Sequence, residues 1–357
     1  MDALASRPLR LVLFLMLLAV MAAVMALPAA AAMARSAADG AGSGAPAPAD
    51  AAYQRLVDAA NAVVGVKVRA LPDAYSNETL GQIRNGSGVL IDRDGLVLTI
   101  GYLILEADQV EVTDSDGQTV PATVVAYDDA TGFGLIRPLG PLAEKPIRIG
   151  TSSSLAPSDR LMIVTGGGDQ TISIASVVAR RQFAGYWEYL IDGAIFTTPP
   201  RLDHSGAALV NKDGELVGIG SLFVLDAAQP GQKVPGNMFV PVDLLKPVLD
   251  ELVRTGMQKG GRRPWLGVDS LEEDGRVKVL QVDDDSPAAL AGLKPGDIIL
   301  SLDGQEVDTL PVFYRTLWGA GPPGTPVRLT VLQGASVHEV VVRSIDRRQF
   351  MRRKPAV

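Results

Sequence analysis

The sequence predicts a mostly β protein: an antiparallel barrel or pair of barrels, followed by a smaller mixed α/β domain. Three observations predict it. Short β-type runs such as Val63-Val-Gly-Val-Lys-Val68, Gly88-Val-Leu-Ile91, Leu96-Val-Leu-Thr99 and Val110-Glu-Val-Thr113 recur through the central chain. Asp-Gly turns at Asp94-Gly95, Asp116-Gly117 and Asp213-Gly214 punctuate these runs, and Asp-Gly between β-type segments is the strongest short hairpin signal. A polar joint, Gly256-Met-Gln-Lys-Gly-Gly-Arg-Arg263, then sets off a last block in which strands mix with one or two short helices. A chain of 357 residues has room for two folded domains.

In chain order, Arg7 and Arg10 precede an uninterrupted apolar run from Leu11 to Leu27, followed by Pro28 and Ala29-Ala-Ala-Ala-Met-Ala34. A positive start, a short apolar core and an A-x-A-like site describe a secretory signal peptide over residues 1–34. The run stops just short of the roughly 20 residues that span a bilayer, so an uncleaved inner-membrane anchor is the alternative. Residues 35–50, rich in Ser, Ala, Gly and Pro, read as a flexible linker without core-forming side chains. Ala51 to Ala60 reads as helix, and the first folded domain is expected over 51–255. It ends in a helix from Asp243 to Thr255 with Leu244, Leu245, Val248, Leu249 and Leu252 on one stripe. Residues 256–263 form the joint, 264–346 the second domain, and 347–357 a basic, solvated tail. A signal peptide places the protein in the periplasm or outside the cell.

Composition removes whole classes of chemistry. Hydrophobic residues at 47% against 20% charged exclude a largely disordered chain, and a net charge of −7 argues against nucleic-acid binding. With no cysteine, disulfides, thiolate metal sites and cysteine nucleophiles are excluded. His204 and His338 are too few for an imidazole-rich metal centre, so neither a metal nor a cofactor is expected. Gly166-Gly-Gly-Asp-Gln170 lacks the Lys-Ser/Thr of a phosphate loop, and the adjacent carboxylates Asp283-Asp-Asp285 lack calcium-loop spacing; both read as turns.

The most specific string is Ser286-Pro-Ala-Ala-Leu-Ala-Gly-Leu-Lys-Pro-Gly-Asp-Ile-Ile-Leu-Ser-Leu-Asp-Gly-Gln-Glu-Val307. Ser286 can cap a short helix, Gly292 can end it, Gly296-Asp297 turns into a strand, and Asp303-Gly304 closes a hairpin. The string resembles the PDZ domains of HtrA-type (DegP-like) periplasmic serine proteases. The resemblance implies that extended or C-terminal peptides of envelope proteins bind by adding a strand to a sheet edge. Their carboxylate would meet the loop Trp265-Leu266-Gly267-Val268, with the helix around Val312 to Leu317 as the far wall. Trp265 and Leu266 can equally be plain core.

The earlier block carries the same resemblance. Gly86-Ser-Gly-Val-Leu-Ile-Asp-Arg-Asp-Gly-Leu-Val-Leu-Thr99 resembles the segment of the family's trypsin-like double β-barrel that leads to the catalytic histidine, and Tyr102 stands at that position. Val125-Ala-Tyr-Asp-Asp-Ala-Thr-Gly-Phe-Gly-Leu-Ile136 aligns with the aspartate motif, with Gly132 at the aspartate. Asp203-His-Ser205-Gly-Ala-Ala-Leu-Val-Asn211 aligns with the nucleophile motif: Ser205 is retained, but Asp203 replaces the oxyanion-loop glycine.

These replacements carry a chemical expectation. A serine hydroxyl needs an adjacent base to take its proton. A phenol near pKa 10 does not do so at neutral pH, and glycine has no side chain to orient a base. Asp203 would set negative charge beside a developing oxyanion. His204, next to Ser205 on an extended segment, points to the opposite side, and His338 lies on an exposed alternating strand. The sequence therefore predicts a pseudoprotease of the resembled family that binds peptides or unfolded envelope proteins as scaffold, sensor or chaperone-like partner. It would act as a homo-oligomer or in mixed oligomers with an active relative. The alternative is an active serine endopeptidase using Ser205 and a non-standard base.

Overall fold

The computed structural model describes residues 48–351 apart from 168–169 and 259–260. The signal-peptide stretch, residues 35–47 of the linker and residues 352–357 of the tail lie outside the described residues. Helix α1 (Pro48–Asn61) begins inside the stretch read as linker, with Asp50 in its first turn, where a carboxylate complements the positive helix end. Ala59 and Ala60 are buried and Leu56 packs against the same core.

Strands β1 (Val63–Ala70), β2 (Ile83–Leu90), β3 (Val97–Ile100), β4 (Ala107–Thr113), β5 (Thr119–Tyr127) and β6 (Phe133–Pro138) close into a barrel, with one helical turn, α2 (Asn77–Leu80), between the first two. The order around it is β1-β2-β3-β6-β5-β4, and closure leaves no strand edge unpaired. Gly95 and Gly117, both at positive φ, turn the chain at the Asp-Gly pairs.

The second set is β7 (Arg148–Ile149), β8 (Arg160–Thr165), β9 (Thr171–Gly185), β10 (Tyr189–Thr198), β11 (Ala208–Val210), β12 (Glu215–Val224) and β13 (Gly236–Pro241). The path β11-β8-β9-β10-β13-β12 returns to β11, so these strands also form a ring, with β7 attached to β12. The helix expected from Asp243 is broken. A 3₁₀ turn at Val242–Leu244 is followed by α3 (Leu249–Thr255). Pro247 is the reason, since it lacks an N–H and its ring collides with the carbonyl four residues back. The apolar stripe still reaches the core through Leu245, Val248 and Leu252.

The last block comprises β14 (Pro264–Trp265), β15 (Val268–Glu273), β16 (Arg276–Val282), α4 (Pro287–Leu290), β17 (Ile298–Leu302), β18 (Gln305–Glu306), α5 (Leu310–Gly319), β19 (Pro326–Gln333), β20 (Ser336–Arg343), β21 (Ile345–Asp346) and α6 (Arg347–Phe350). Its sheet runs β15-β16-β17-β19-β20, which leaves β15 at one edge. Ser286 Oγ accepts the Ala289 N–H at 3.2 Å and caps α4, while Asp303 and Gly304, both at positive φ, turn β17 into β18. Phe313, Tyr314 and Leu317 of α5 pack with Leu266, Val268 and Ile299 in a separate core.

The start of the basic tail is folded rather than solvated. Arg348 lies 3.4 Å from Asp129 and 3.3 Å from Asp346, and Phe350 stacks on Tyr75 at 4.4 Å. Burial pushes the Asp129 carboxyl up to about 6 while Arg348 draws it down, so a nearby cation and an aromatic partner tie this segment to the first barrel.

Candidate functional site

Ser205 sits in the loop between β10 and β11. Its carbonyl accepts the Ser87 N–H of β2 at 2.8 Å, and the Gly206 N–H donates to the Gly220 carbonyl of β12 at 2.8 Å. Gly206 has φ +73 and lies against the Ser87 carbonyl with no space for a Cβ, so this sharp turn requires glycine. Asn237, fully buried on β13, holds the start of the loop: its Oδ1 accepts the Arg201 N–H at 2.7 Å and its Nδ2 donates to the Arg201 carbonyl at 2.9 Å.

Tyr102, on a 3₁₀ turn directly after β3, reaches Ser205. Its hydroxyl oxygen lies 2.8 Å from Ser205 Oγ and 2.8 Å from the Ser221 carbonyl oxygen. A phenol has one proton and a carbonyl only accepts; when the phenol donates to the Ser221 carbonyl, the Ser205 hydroxyl must donate to the phenol. Burial pushes the Tyr102 hydroxyl up to about 12, against a smaller pull from the Ser205 bond, so the group is neutral near pH 7. Among the described residues, Ser205 Oγ has no imidazole or carboxylate as a hydrogen-bond partner.

The other positions close in the same way. Gly132 has φ +78, and a Cβ there would lie 2.8 Å from the Tyr189 hydroxyl. Tyr189, buried, donates to the Thr131 carbonyl at 2.6 Å, so its ring occupies the space an aspartate side chain would need. Asp203 departs from the electrostatic expectation. Its carboxylate turns to Arg201, whose Nε donates to Oδ1 at 2.8 Å, and Thr171 Oγ1 donates to Oδ2 at 3.3 Å. Burial raises its pKa, but the Arg201 bonds and charge outweigh that and hold it below the usual carboxylate value, so the charge is compensated in place. The His204 ring is held by its own loop, with Nδ1 3.0 Å from the Arg201 carbonyl, and burial lowers its pKa against the pull of that bond.

In the loop Trp265-Leu266-Gly267-Val268, the Leu266 and Gly267 N–H groups hold an internal carboxylate. Glu188 Oε1 accepts the Leu266 N–H and the Gly267 N–H, each at 3.1 Å. Glu188 belongs to the tip of the β9–β10 hairpin, Tyr186-Trp187-Glu188, in which Glu188 takes a left-handed φ of 56°. The Tyr186 carbonyl of this tip accepts the Ser270 N–H of β15 at 2.8 Å, and Tyr314 of α5 donates to the Gly185 carbonyl at 2.6 Å. Burial pushes Glu188 up to about 7, opposed by the loop N–H groups and by Arg347. Trp265 and Leu266 are also buried, so both side chains serve core packing.

Sequence reasoning missed Tyr189, Arg201, Asn237 and Glu188. One signal for Glu188 was present. A three-residue hairpin loop needs a left-handed residue at its end, usually glycine or asparagine, and Tyr186-Trp-Glu188 offers neither.

Residues 86–219 match the trypsin-like peptidase domain family and residues 264–343 the PDZ domain family. A probable periplasmic serine endoprotease DegP-like of Halomonas elongata is 28% identical over 274 residues, covering 72% of this chain and 55% of that protein. The serine endoprotease DegS of Haemophilus influenzae is 29% identical over 302 residues, covering 80% of this chain and 84% of its own. The chain joins a trypsin-like peptidase domain to a PDZ domain and is similar to serine endoproteases named DegP and DegS. The chain spans about half the length of the DegP-like relatives it matches. Its fold matches the crystal structure of a serine endoprotease from Yersinia pestis with a TM-score of 0.51 at 25% identity, over 85% of this chain and 99% of that one. It also matches the HtrA-type protease AlgW with decapeptide, with a TM-score of 0.52 at 22% identity, over 85% and 99% of the two chains. Among the described residues no helix is long and apolar enough to cross a membrane.

Proposed function

We propose that this HtrA-type chain is a non-catalytic member of its family, working in the cell envelope by binding extended or C-terminal peptides through its PDZ domain. The observation that carries the reading is the Tyr102 hydroxyl, 2.8 Å from Ser205 Oγ and neutral at physiological pH, in the place of a base. Acyl transfer needs the serine proton removed during attack, and a protonated phenol accepts a proton far less readily than an imidazole does. Tyr189 supports it by closing the aspartate space. The peptide half of the reading is supported by the Leu266 and Gly267 N–H groups, whose geometry receives a carboxylate, and by β15 at a sheet edge. The relatives named periplasmic and the leader pattern over residues 1–34 support the compartment. A role in protein quality control, alone or in assemblies with an active relative, follows from the family.

A second reading, a serine endopeptidase with an unusual base, is favoured by the retained Ser205 and by relatives named endoproteases. One experiment separates the two. The purified protein and its Ser205→Ala variant are treated with a serine-directed fluorophosphonate probe and incubated with unfolded casein. The proposal expects neither labelling nor digestion. Labelling or cleavage abolished by Ser205→Ala overturns it.

A further inference from the structure

The carboxylate seated in the PDZ loop is internal, and it occupies the place that a peptide ligand would need. We infer that the β9–β10 hairpin tip is a built-in competing ligand of the groove: a peptide's free C-terminal carboxylate enters the Leu266–Gly267 cradle only when Glu188 leaves it. This rests on the peptide-binding reading above and adds its control.

Three observations carry it. First, the tip takes up the loop and edge-strand hydrogen bonds that a bound peptide end would use. Glu188 Oε1 takes the two loop N–H groups at 3.1 Å, and the Tyr186 carbonyl takes the Ser270 N–H of edge strand β15 at 2.8 Å. The groove's helical wall, through Tyr314, holds the Gly185 carbonyl at 2.6 Å. Strand addition to β15 and seating of the tip are therefore mutually exclusive.

Second, the tip is held under unfavourable conditions, as a displaceable ligand should be. Glu188 Oε2 is buried and has no hydrogen-bond partner among the described residues, so the carboxylate gives up hydration that it recovers on release. The residue also adopts a left-handed backbone that a side chain disfavours.

Third, the base of the hairpin is anchored independently of the tip. Leu190 is buried in the PDZ core, and Arg315 of α5 lies 2.9 Å from Asp192. Loss of the Glu188 carboxylate therefore empties the cradle without detaching the two domains.

The cradle's chemistry fixes the ligand class. Two converging N–H donors suit an anionic oxygen, so a free C-terminal carboxylate is favoured over an amidated end. The opening step then lowers the apparent affinity by the fraction of molecules with the tip out.

The test uses a synthetic octapeptide pool randomised at its last four positions, prepared as free acids and separately as C-terminal amides. Selection on the full-length Glu188→Ala protein yields sequences that are titrated by fluorescence anisotropy against wild type, Glu188→Ala and Tyr314→Phe. We expect free acids to bind Glu188→Ala about tenfold or more tightly than wild type, and amides to bind neither. Tyr314→Phe, which loosens the tip but leaves the cradle intact, should bind severalfold more tightly than wild type and keeps the test open if Glu188→Ala fails to fold. Equal affinities for wild type and both variants overturn the competition while leaving peptide binding in place. Absence of free-acid binding to any of the three overturns the peptide-binding reading itself.

Discussion

Gly132→Ala tests whether the aspartate position has been closed by the fold. At φ +78 a residue with a Cβ is disfavoured by roughly 1–2 kcal/mol, offset in part by about 0.5 kcal/mol from the stiffer unfolded chain. The new Cβ would stand 2.8 Å from the Tyr189 hydroxyl and 3.2 Å from its ring, so the ring must move. Moving it sacrifices the 2.6 Å bond to the Thr131 carbonyl, about 1 kcal/mol, and strains a packed aromatic cluster by about 1 kcal/mol more. The total is about 3 kcal/mol, or a thermal midpoint lower by roughly 5 °C for a protein of this size. Urea unfolding followed by far-UV circular dichroism gives the stability change. Fluorescence of Trp187, whose ring stacks on Tyr189 at 5.5 Å, reports the local disturbance. In a Tyr189→Phe background the nearest contact is absent, so the loss from Gly132→Ala should shrink by about 1 kcal/mol. A Gly132→Ala protein within about 0.5 kcal/mol of wild type would refute the reasoning. It would mean that Tyr189 does not exclude a side chain and that a catalytic aspartate could be restored by a single replacement.

Three further outcomes are expected. Tyr102→His should not create Ser205-dependent hydrolysis of unfolded casein, because Gly132 has no carboxylate to orient the imidazole and Tyr189 fills the space beside it; cleavage lost on adding Ser205→Ala would count against this. Glu188 is raised by burial from 4.5 to about 7, so the folded state holds its proton more tightly and stability should fall as pH rises toward 7, then level off. Asp129 and Asp269, both at about 6 through burial, act with the same sign lower down, and His204, lowered by burial, acts against them. The difference between wild type and Glu188→Gln, measured by urea titration from pH 6 to 7, therefore isolates about 1 kcal/mol; parallel profiles would disprove the assignment. Arg348→Ala should cost about 2–4 kcal/mol by stranding the Asp129 carboxylate, and less in an Asp129→Asn background; equal losses in both backgrounds would show that the pair is not what docks the tail.

Much of the fold was legible because its signals are local. Asp94-Gly95, Asp116-Gly117 and Asp303-Gly304 mark turns since those residues tolerate positive φ, and Ser286 caps the helix it precedes. The broken helix after Asp243 was equally local and was misread by following the apolar stripe across Pro247. The start of the tail was misread for a different reason. A run of basic residues looks solvated until a buried carboxylate such as Asp129 is brought to it from another domain.

By itself, then, the sequence determined the barrels, the PDZ-like block and the residue types at Tyr102, Gly132, Asp203 and Ser205, because motif spacing and turn chemistry are written along the chain. It did not determine what those residues touch. Only the tertiary structure decided that the Tyr102 hydroxyl bonds both Ser205 Oγ and the Ser221 carbonyl, that Arg201 compensates Asp203, and that Tyr189 fills the space beside Gly132. It alone placed Glu188 in the Leu266–Gly267 cradle. Hydrogen bonds and burial between residues far apart in the chain depend on how whole strands and hairpins pack, and no local propensity encodes that distance.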